Sequence, residues 1–487
     1  MVGSTFFASV ALLTLMAPFE LTAPLLRLPR QSVSNLEAAI LCAFVCVAIA
    51  LLLTRRLPDW RTPLTSPWIA LLVAMVIASA VSPVSRTNAF HMTGRVAAAF
   101  GVFLLASNGV TSQARVRTAL TLSVAAGVVV SVLTILEYRG VRVVLSALRA
   151  FRPAVSTVGA QVRAGGPLQY PTIASMYLEV VFACGLGLML ADLAAGRHAR
   201  VMVLFVALAL MAEAIMLTFT RAGLITMATS LLLVGVLDRL RRRGHAASAL
   251  LAGLAAVIVL LFVGSRSADS LWLRMTTEGQ DSWYRVAVVA PQALELATGS
   301  ESSVPITVTN TGRLPWDSEA TPPLLLSYHW LTDRGDRFVT FEGERTAFPD
   351  RVLPDATATV AVRVRAPRHP GRYRLEWDLV QEGRLWFSTE PGAVRTMSSV
   401  TVTGDPYAGP IVTTPLPRPT VRPGRLVLWQ AAARMFAAHP LAGVGPDNFR
   451  LSYGAYAGLA GTDERTHSNN MYLEMLAGGG LIVAGAF

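Results

Sequence analysis

Apolar and polar positions follow two different rhythms along the chain. In the first half, runs of apolar residues recur at about residues 5–26, 36–53, 67–85, 89–107, 116–137, 172–193, 199–219, 222–238 and 246–264. Each approaches the ~20 residues that a helix needs to cross a hydrocarbon core. A soluble fold cannot bury nine such segments in succession, so the bilayer is the expected solvent. A tenth run, "MYLEMLAGGGLIVAGAF", begins at Met471 and stops at Phe487 without a flanking charge, and the chain is expected to be cut short there.

From about Ala290 to Asp405 the long runs cease and period-two alternation takes over, as in "SVPITVTN", "ATVAVRVRAP" and "GRYRLEWDLV". Side chains of a strand point to alternate faces, so these segments read as strands. Turn signals separate them at Asn310-Thr311-Gly312, Asp333-Arg334-Gly335, Pro370-Gly371 and Glu382-Gly383. About seven short strands in this length predict an immunoglobulin-like sandwich. Trp316, Trp330, Trp377 and Trp386 are expected in its core or at its rim, with a sugar-stacking face as the alternative. The predicted fold is thus a multi-pass α-helical membrane protein of about ten helices with an inserted all-β sandwich. Its expected parts are residues 1–285 for nine helices and the start of an outer loop, 290–405 for the sandwich, 406–422 for a proline-rich linker, and 423–487 for the rest of the loop and helix ten.

Composition agrees, with 53% hydrophobic and only 15% charged residues. The first run lacks a basic amino-terminal region and a small-residue cleavage site, which predicts a retained helix. Cys42, Cys46 and Cys184 all fall inside predicted spans, so no disulfide framework or zinc site is readable. There is no lysine, and all 42 basic residues are arginine. Arg55, Arg56, Arg61, Arg115, Arg117, Arg197, Arg200, Arg239, Arg241, Arg242 and Arg243 fall in the loops after even-numbered spans. Only Arg27, Arg30, Arg86 and Arg221 fall in the short alternate loops. Basic loops stay inside, so the amino terminus is expected in the cytoplasm and residues 138–171 and 265–470 outside it. Residues 290–405 carry 12 arginines against 15 acidic residues, which leaves the remainder of the chain strongly basic. The sandwich is therefore not expected to bind anions, nor the chain to bind nucleic acid.

Charges inside spans are costly and mark candidate chemistry. Glu20, Arg95, Glu179 and Glu213 are expected at one depth, either as internal ion pairs or as the wall of a polar cavity that opens outward. Three outward-facing segments lie near that level. "LTFTRAGL" places Arg221 at a turn between two spans, where it either anchors to headgroups or serves a site. "RAGGPLQYP" follows Arg163 with Gly165-Gly166, whose amides are candidates for an anion. The third runs from Pro423 to Leu476 and holds "PGRLVLWQAAARMFAAHPLAGVGPDNF" and "THSNNMYLEML".

Arg-x3-Trp, then "HPLAGVGPDNF", then a His/Asn cluster leading into "YLE" and a glycine-rich apolar helix closely resembles the O-antigen ligase and polymerase family of bacterial envelopes. "TFTRAG" resembles that family's Ser/Thr-Arg-Gly/Ala motif, and "RAGGPLQYP" its Arg-containing turn, here without the phenylalanine. The resemblance covers roughly residues 60–285 and 423–487. It implies a glycan transferase of the bacterial inner membrane. The donor would be an undecaprenyl-pyrophosphate-linked glycan, and the acceptor a hydroxyl of a glycan, lipid A core or protein on the periplasmic face. Arginine suits the departing pyrophosphate because its planar fork of donors stays charged. Arg221 and Arg425 are the expected catalytic cations, with Arg163, Arg285 and Arg95 as substrate-binding candidates beside Glu179 and Glu213. No carboxylate-rich metal motif stands out, no cofactor is expected, and arginines take the metal's place. A neutral histidine suits the base. Where many relatives carry His-x-His-Asn, this chain has His467-Ser468-Asn469-Asn470, so His467 is the expected base, with Asn469 and Asn470 as binding candidates. The sandwich, usually absent from the family, is expected to tune acceptor choice or partner docking and to stand apart from the chemical step. A transporter using the same charges and a non-catalytic envelope scaffold are the competing functions.

Overall fold

The computed structural model describes residues 2–28, 31–55, 57–152, 155–158, 161–241, 246–264, 268–277, 282–320, 322–390, 392–407, 409–416, 423–459, 463–464 and 466–487. Arg30, Arg56, Arg242 and Arg243, used above for orientation, and residues 417–422 of the linker lie outside these.

The apolar runs become helices α1 (Val2–Met16), α2 (Asn35–Thr54), α3 (Thr65–Ala80), α4 (Arg86–Gly109), α5 (Gln113–Tyr138), α7 (Pro171–Ala194), α8 (His198–Leu217), α9 (Arg221–Arg241), α10 (Ala246–Val263) and α14 (Met471–Ala486). Shorter helices are α6 (Arg142–Leu148), α11 (Ala268–Thr276), α12 (Arg425–Ala438) and α13 (Phe449–Ala457). Among the described residues, seven helices (α2, α4, α5 and α7 to α10) are long and apolar enough to cross a membrane. The apolar α1, α3 and α14 are shorter, at 15 or 16 residues. The protein is a multi-pass helical membrane protein. Local chemistry sets several helix starts: Ser34 closes a capping box with Glu37, and Ser85 and Ser112 accept the amides of Asn88 and Arg115. Pro171 opens α7, where its missing N–H costs nothing.

Helices α5, α7 and α8 form the most buried part of the bundle, through Val130, Leu178, Phe182, Leu186, Met189, Leu208, Met211 and Ile215. Helix α9 packs on α7, and α10 on α8 and α9. At one end of this group, Asp192 near the end of α7 pairs with Arg117 of α5 and with Arg197 at 3.2 Å. The opposite end, where α5 and α8 finish and α7 and α9 begin, carries the candidate site.

Helix α14 is broken. Gly480 sits at φ 61, outside the helical region, and a loop enters at the break. Val444 N donates to Ala477 O (2.8 Å), Gly445 N to Gly478 O (2.7 Å), and Leu481 N to Pro440 O (2.9 Å). These bonds satisfy backbone groups that the break would otherwise leave bare. A Cβ on Gly443 would lie 2.4 Å from the Gly478 carbonyl carbon, so the "AGVG" and "GGG" stretches interlock backbone to backbone. Beyond the loop, buried Asn448 donates to Ser82 Oγ (2.9 Å) and the Ser85 carbonyl (3.0 Å), which pins the segment to the turn between α3 and α4.

Two small hairpins decorate the helices: β1 (Leu26–Leu28) with β2 (Gln31–Val33), and β3 (Ser156–Val158) with β4 (Gln161–Arg163). The inserted region is a two-sheet sandwich. Its strands are β5 (Ala287–Val289), β6 (Ala293–Ala297), β7 (Glu301–Thr309), β8 (Leu324–Thr332), β9 (Arg337–Thr340), β10 (Thr357–Arg365), β11 (Gly371–Gln381), β12 (Leu385–Trp386), β13 (Thr396–Thr403) and β14 (Thr414–Pro415). One sheet runs β10-β7-β5 and the other β14-β9-β8-β11-β13-β6, with β12 paired to β11. Only the β13–β6 pairing is parallel among these. Alternate residues meet between the sheets: Val304, Ile306, Val308, Val360, Val362 and Val364 against Leu326, Tyr328, Trp330, Leu375 and Trp377. Trp316, Trp330 and Trp377 are buried, while Trp386 is half-buried beneath Arg345. The domain is wider than its alternation suggested. Trp283 and Tyr284 lie in its core, β5 begins at Ala287, and β14 pairs with β9 inside the expected linker.

Candidate active site

Arg163 ends β4 and turns toward the start of α9. Its Nε donates to Thr218 O (2.9 Å), and its Nη2 lies 3.3 Å from Thr220 Oγ1 and 3.5 Å from Thr172 Oγ1. Burial, with Arg274 nearby, pushes its pKa down to about 10, so it stays charged near neutral pH. The glycines behind it do not wait for a ligand. Gly165 N and Gly166 N both donate to Glu137 Oε2, at 3.0 and 2.9 Å. Glu137 is buried at the end of α5 and paired with buried Arg152. The amides expected to meet a substrate anion hold the chain's own carboxylate, which fixes the turn. Gly166 needs its φ of +56, and a Cβ there would lie 2.7 Å from Thr134 Oγ1.

Arg221 opens α9, and its Nε donates to the carbonyl of Arg274 in the last turn of α11. Its Nη2 is buried without a hydrogen-bond partner, as is Nε of Arg274. Burial and the charges of Arg221 and Arg425 lower the Arg274 pKa. Arg163, Arg221, Arg274 and Arg425 therefore form one cationic cluster, and among the described residues none of the four has a carboxylate partner. Where bonds orient these guanidinium groups, the acceptors are neutral carbonyls and hydroxyls, so the positive charge is left uncancelled. Arg221 and Arg425 also begin helices, whose amino-terminal dipoles favour an anion.

One turn beyond Arg425 on α12, Trp429 Nε1 donates to the Ser468 carbonyl (3.0 Å) and brings the His467 loop alongside. His467 Nδ1 lies 2.5 Å from Glu474 Oε1, while Ser468 donates to Glu474 Oε2 through its amide (3.0 Å) and hydroxyl (2.8 Å). With Nδ1 directed at the carboxylate and the side chain 47% exposed, Nε2 is the nitrogen left to take a proton. The hydrogen bond to Glu474 raises the His467 pKa above the ordinary histidine range. Asn469 adopts a left-handed φ of 57, and its side chain donates to His467 O (3.2 Å). Asn470 caps α14 by accepting the amides of Tyr472 and Leu473 (3.1 and 3.2 Å). Both asparagines shape the backbone here.

The remaining candidates lie elsewhere. Arg95 is exposed on α4, 3.8 Å from Glu37 of α2. Arg285 belongs to the sandwich, where Nη1 donates to Gly392 O (3.3 Å) beside a cavity of about 60 Å³. Glu20 follows α1, which ends at Met16, and so is not inside a span. Glu179 accepts from Ser175 Oγ (2.7 Å) within α7, against Gly223 of α9. Glu213 of α8 faces the charge of Arg139. Counted from the nearer helix end, Arg95 and Glu179 lie about two helical turns in and Glu213 about one. Arg274, Glu137 and Glu474, which sequence reasoning did not assign, belong to the site or its frame.

Comparison with known proteins bears on this segment. Residues 418–487, which contain Arg425, His467 and Glu474, match the family model described as O-antigen ligase. The match supports the O-antigen ligase family for this carboxy-terminal segment. At the general level, the match supports a membrane-bound glycan-transferring enzyme. No curated protein matches the chain. Among solved structures, one match is a family 123 glycoside hydrolase from Clostridium perfringens described in terms of glycolipid glycan hydrolysis. It has 14% identity and a TM-score of 0.15 over 24% of this chain. The aligned part spans 23% of that enzyme's length, and the likeness carries no argument. The matched segment thus supplies the histidine, its carboxylate and one arginine, and β4, α9 and α11, all before the sandwich, supply the other three arginines.

Proposed function

We propose that the protein transfers a glycan from an undecaprenyl pyrophosphate carrier to an acceptor hydroxyl, in the manner of an O-antigen ligase, at the periplasmic face of a bacterial inner membrane. The observation that carries this reading is the cluster of four arginines without a carboxylate, set beside a histidine that has one. The guanidinium groups bind the pyrophosphate and stabilise the charge it gains as the glycosyl C1–O bond breaks. His467 Nε2 accepts the proton of the acceptor hydroxyl as its oxygen bonds to C1, and Glu474 stabilises the imidazolium. A glycan, lipid A core or protein is the acceptor class. The sandwich reads as immunoglobulin-like. Buried Trp330 lies on β8, the sheets contain the parallel β6–β13 pair, and the Tyr373 hydroxyl near the start of β11 donates to His369 O (3.0 Å).

Envelope glycan analysis after gene deletion tests the proposal. Loss of capped lipid A core identifies a ligase, and collapse of long chains to single repeat units identifies a polymerase of the same family. An unchanged glycan profile sinks both.

A further inference from the structure

We propose that the inserted sandwich is a positioning domain for the arginine cluster: through Trp283 it fixes α11, and through α11 it sets Arg221 and Arg274 to receive a pyrophosphate. This rests on the anion site proposed above and revises the expectation that the sandwich stands apart from the chemistry.

The chain of contacts begins at Arg221, whose guanidinium is fastened to the Arg274 carbonyl. Helix α11 has only nine residues, too few to persist without neighbours. The sandwich core is among those neighbours. Leu271 is 1% exposed and shares one continuous apolar core with Trp283, Tyr284, Leu314 and Trp316, against which Leu273 also packs. Thr277, directly after α11, accepts the Trp283 indole N–H at 2.9 Å. Trp283 is held in turn by the loop after β7. Arg313 N donates to Ser282 O (3.0 Å), and a Cβ on Gly312 would come within 2.3 Å of Trp283 O, so only glycine fits there. From the membrane side the same core takes in Phe219, two residues before Arg221. Phe219 sits at φ 51, a conformation that its surroundings must impose. Both sides of the Arg221–Arg274 contact therefore end in the sandwich core. A site that recognises a phosphate by directed donors loses affinity when its frame shifts by a fraction of an ångström.

The test measures binding of inorganic pyrophosphate to the full chain in nanodiscs, alongside its thermal unfolding. Trp283→Phe removes the indole hydrogen bond, and Thr277→Val removes that same bond together with the one from the Thr277 hydroxyl to Leu273 O (2.7 Å). Loss of the shared bond is expected to weaken pyrophosphate about fivefold in each, the factor that one buried hydrogen bond is worth. The control, Trp377→Phe, breaks a comparable buried indole bond, to Ser398 Oγ (2.8 Å), inside the sandwich, and is expected to leave affinity unchanged. In an Arg221→Ala background the Trp283→Phe loss should shrink, because the Arg221 contact that it sets is gone and only Arg274 is left to displace. Parental affinity in both Trp283→Phe and Thr277→Val overturns the proposal. So does an equal loss in Trp377→Phe, which would mark the effect as general stability. Failure of the parent itself to bind pyrophosphate removes the anion site and this inference with it.

Discussion

Arg221 is fastened to a carbonyl, Arg163 to a carbonyl and two hydroxyls, and among the described residues neither to an acid. Such a guanidinium is oriented but not neutralised, so its value to a developing pyrophosphate is high. Replacing Arg221, Arg274 or Arg425 by alanine should raise the barrier to glycan transfer by about 2–4 kcal/mol, the cost of one preorganised donor. Lysine should rescue poorly, since a point charge lacks the fork. Transfer assays at equal membrane abundance check this, and near-parental rates would reduce the arginine concerned to a lipid anchor. His467 must be neutral to act as a base, and Glu474 holds its pKa above the ordinary value of about 6.5. Activity should therefore fall as pH drops through that raised value, and Glu474→Gln should move the acid limb of the rate profile to lower pH. An unmoved limb would mean that another group titrates. Arg221, Arg425 and His467 were legible because each stands in a short, spaced motif. Arg274 was not, because "SLWLRMT" carries no motif and gains its meaning only from what lies across from it. Glu137 was hidden as the last residue of an apolar run, although it organises the turn behind Arg163.

Among the elements, two junctions rest on backbone meeting something closely. The Gly165-Gly166 turn is held by Glu137, whose own charge is balanced by Arg152. Glu137→Ala leaves a buried arginine and two amides without a partner and should cost about 3–5 kcal/mol, read as a lowered midpoint of unfolding. The break in α14 is the second junction. Gly480→Ala asks a methyl group to sit 2.3 Å from Leu441 O at φ +61 and should destabilise by about 2–4 kcal/mol. Gly485→Ala, at a position with open space around it, serves as the control in the same thermal-shift series. The apolar runs and the alternating strands were readable because each carries its own period. The interlocked loop was not, since glycines in an apolar run look like a packing surface until the partner backbone is in view. The sandwich boundaries slipped for a related reason: Trp283 and β14 join by pairing and packing, which local alternation does not record.

For the whole molecule, the basic loops predict which way it faces. A phosphatase fused after Asp405 should be active and one fused after Arg243 inactive, and the reverse pattern would turn the proposed site to the cytoplasm. The glycine interlock also gives the molecule a history. The loop that carries α12 docks on carbonyls of α14, the most carboxy-terminal of the fourteen described helices, and is tied through Asn448 to a turn near the first ones. During synthesis, which proceeds from the amino end, Arg425 and His467 have no frame until α14 has entered the membrane. Three of the arginines can gather once the sandwich has folded, but the fourth and the base come later. A nascent chain would thus pass through most of its insertion unable to act on any donor it met.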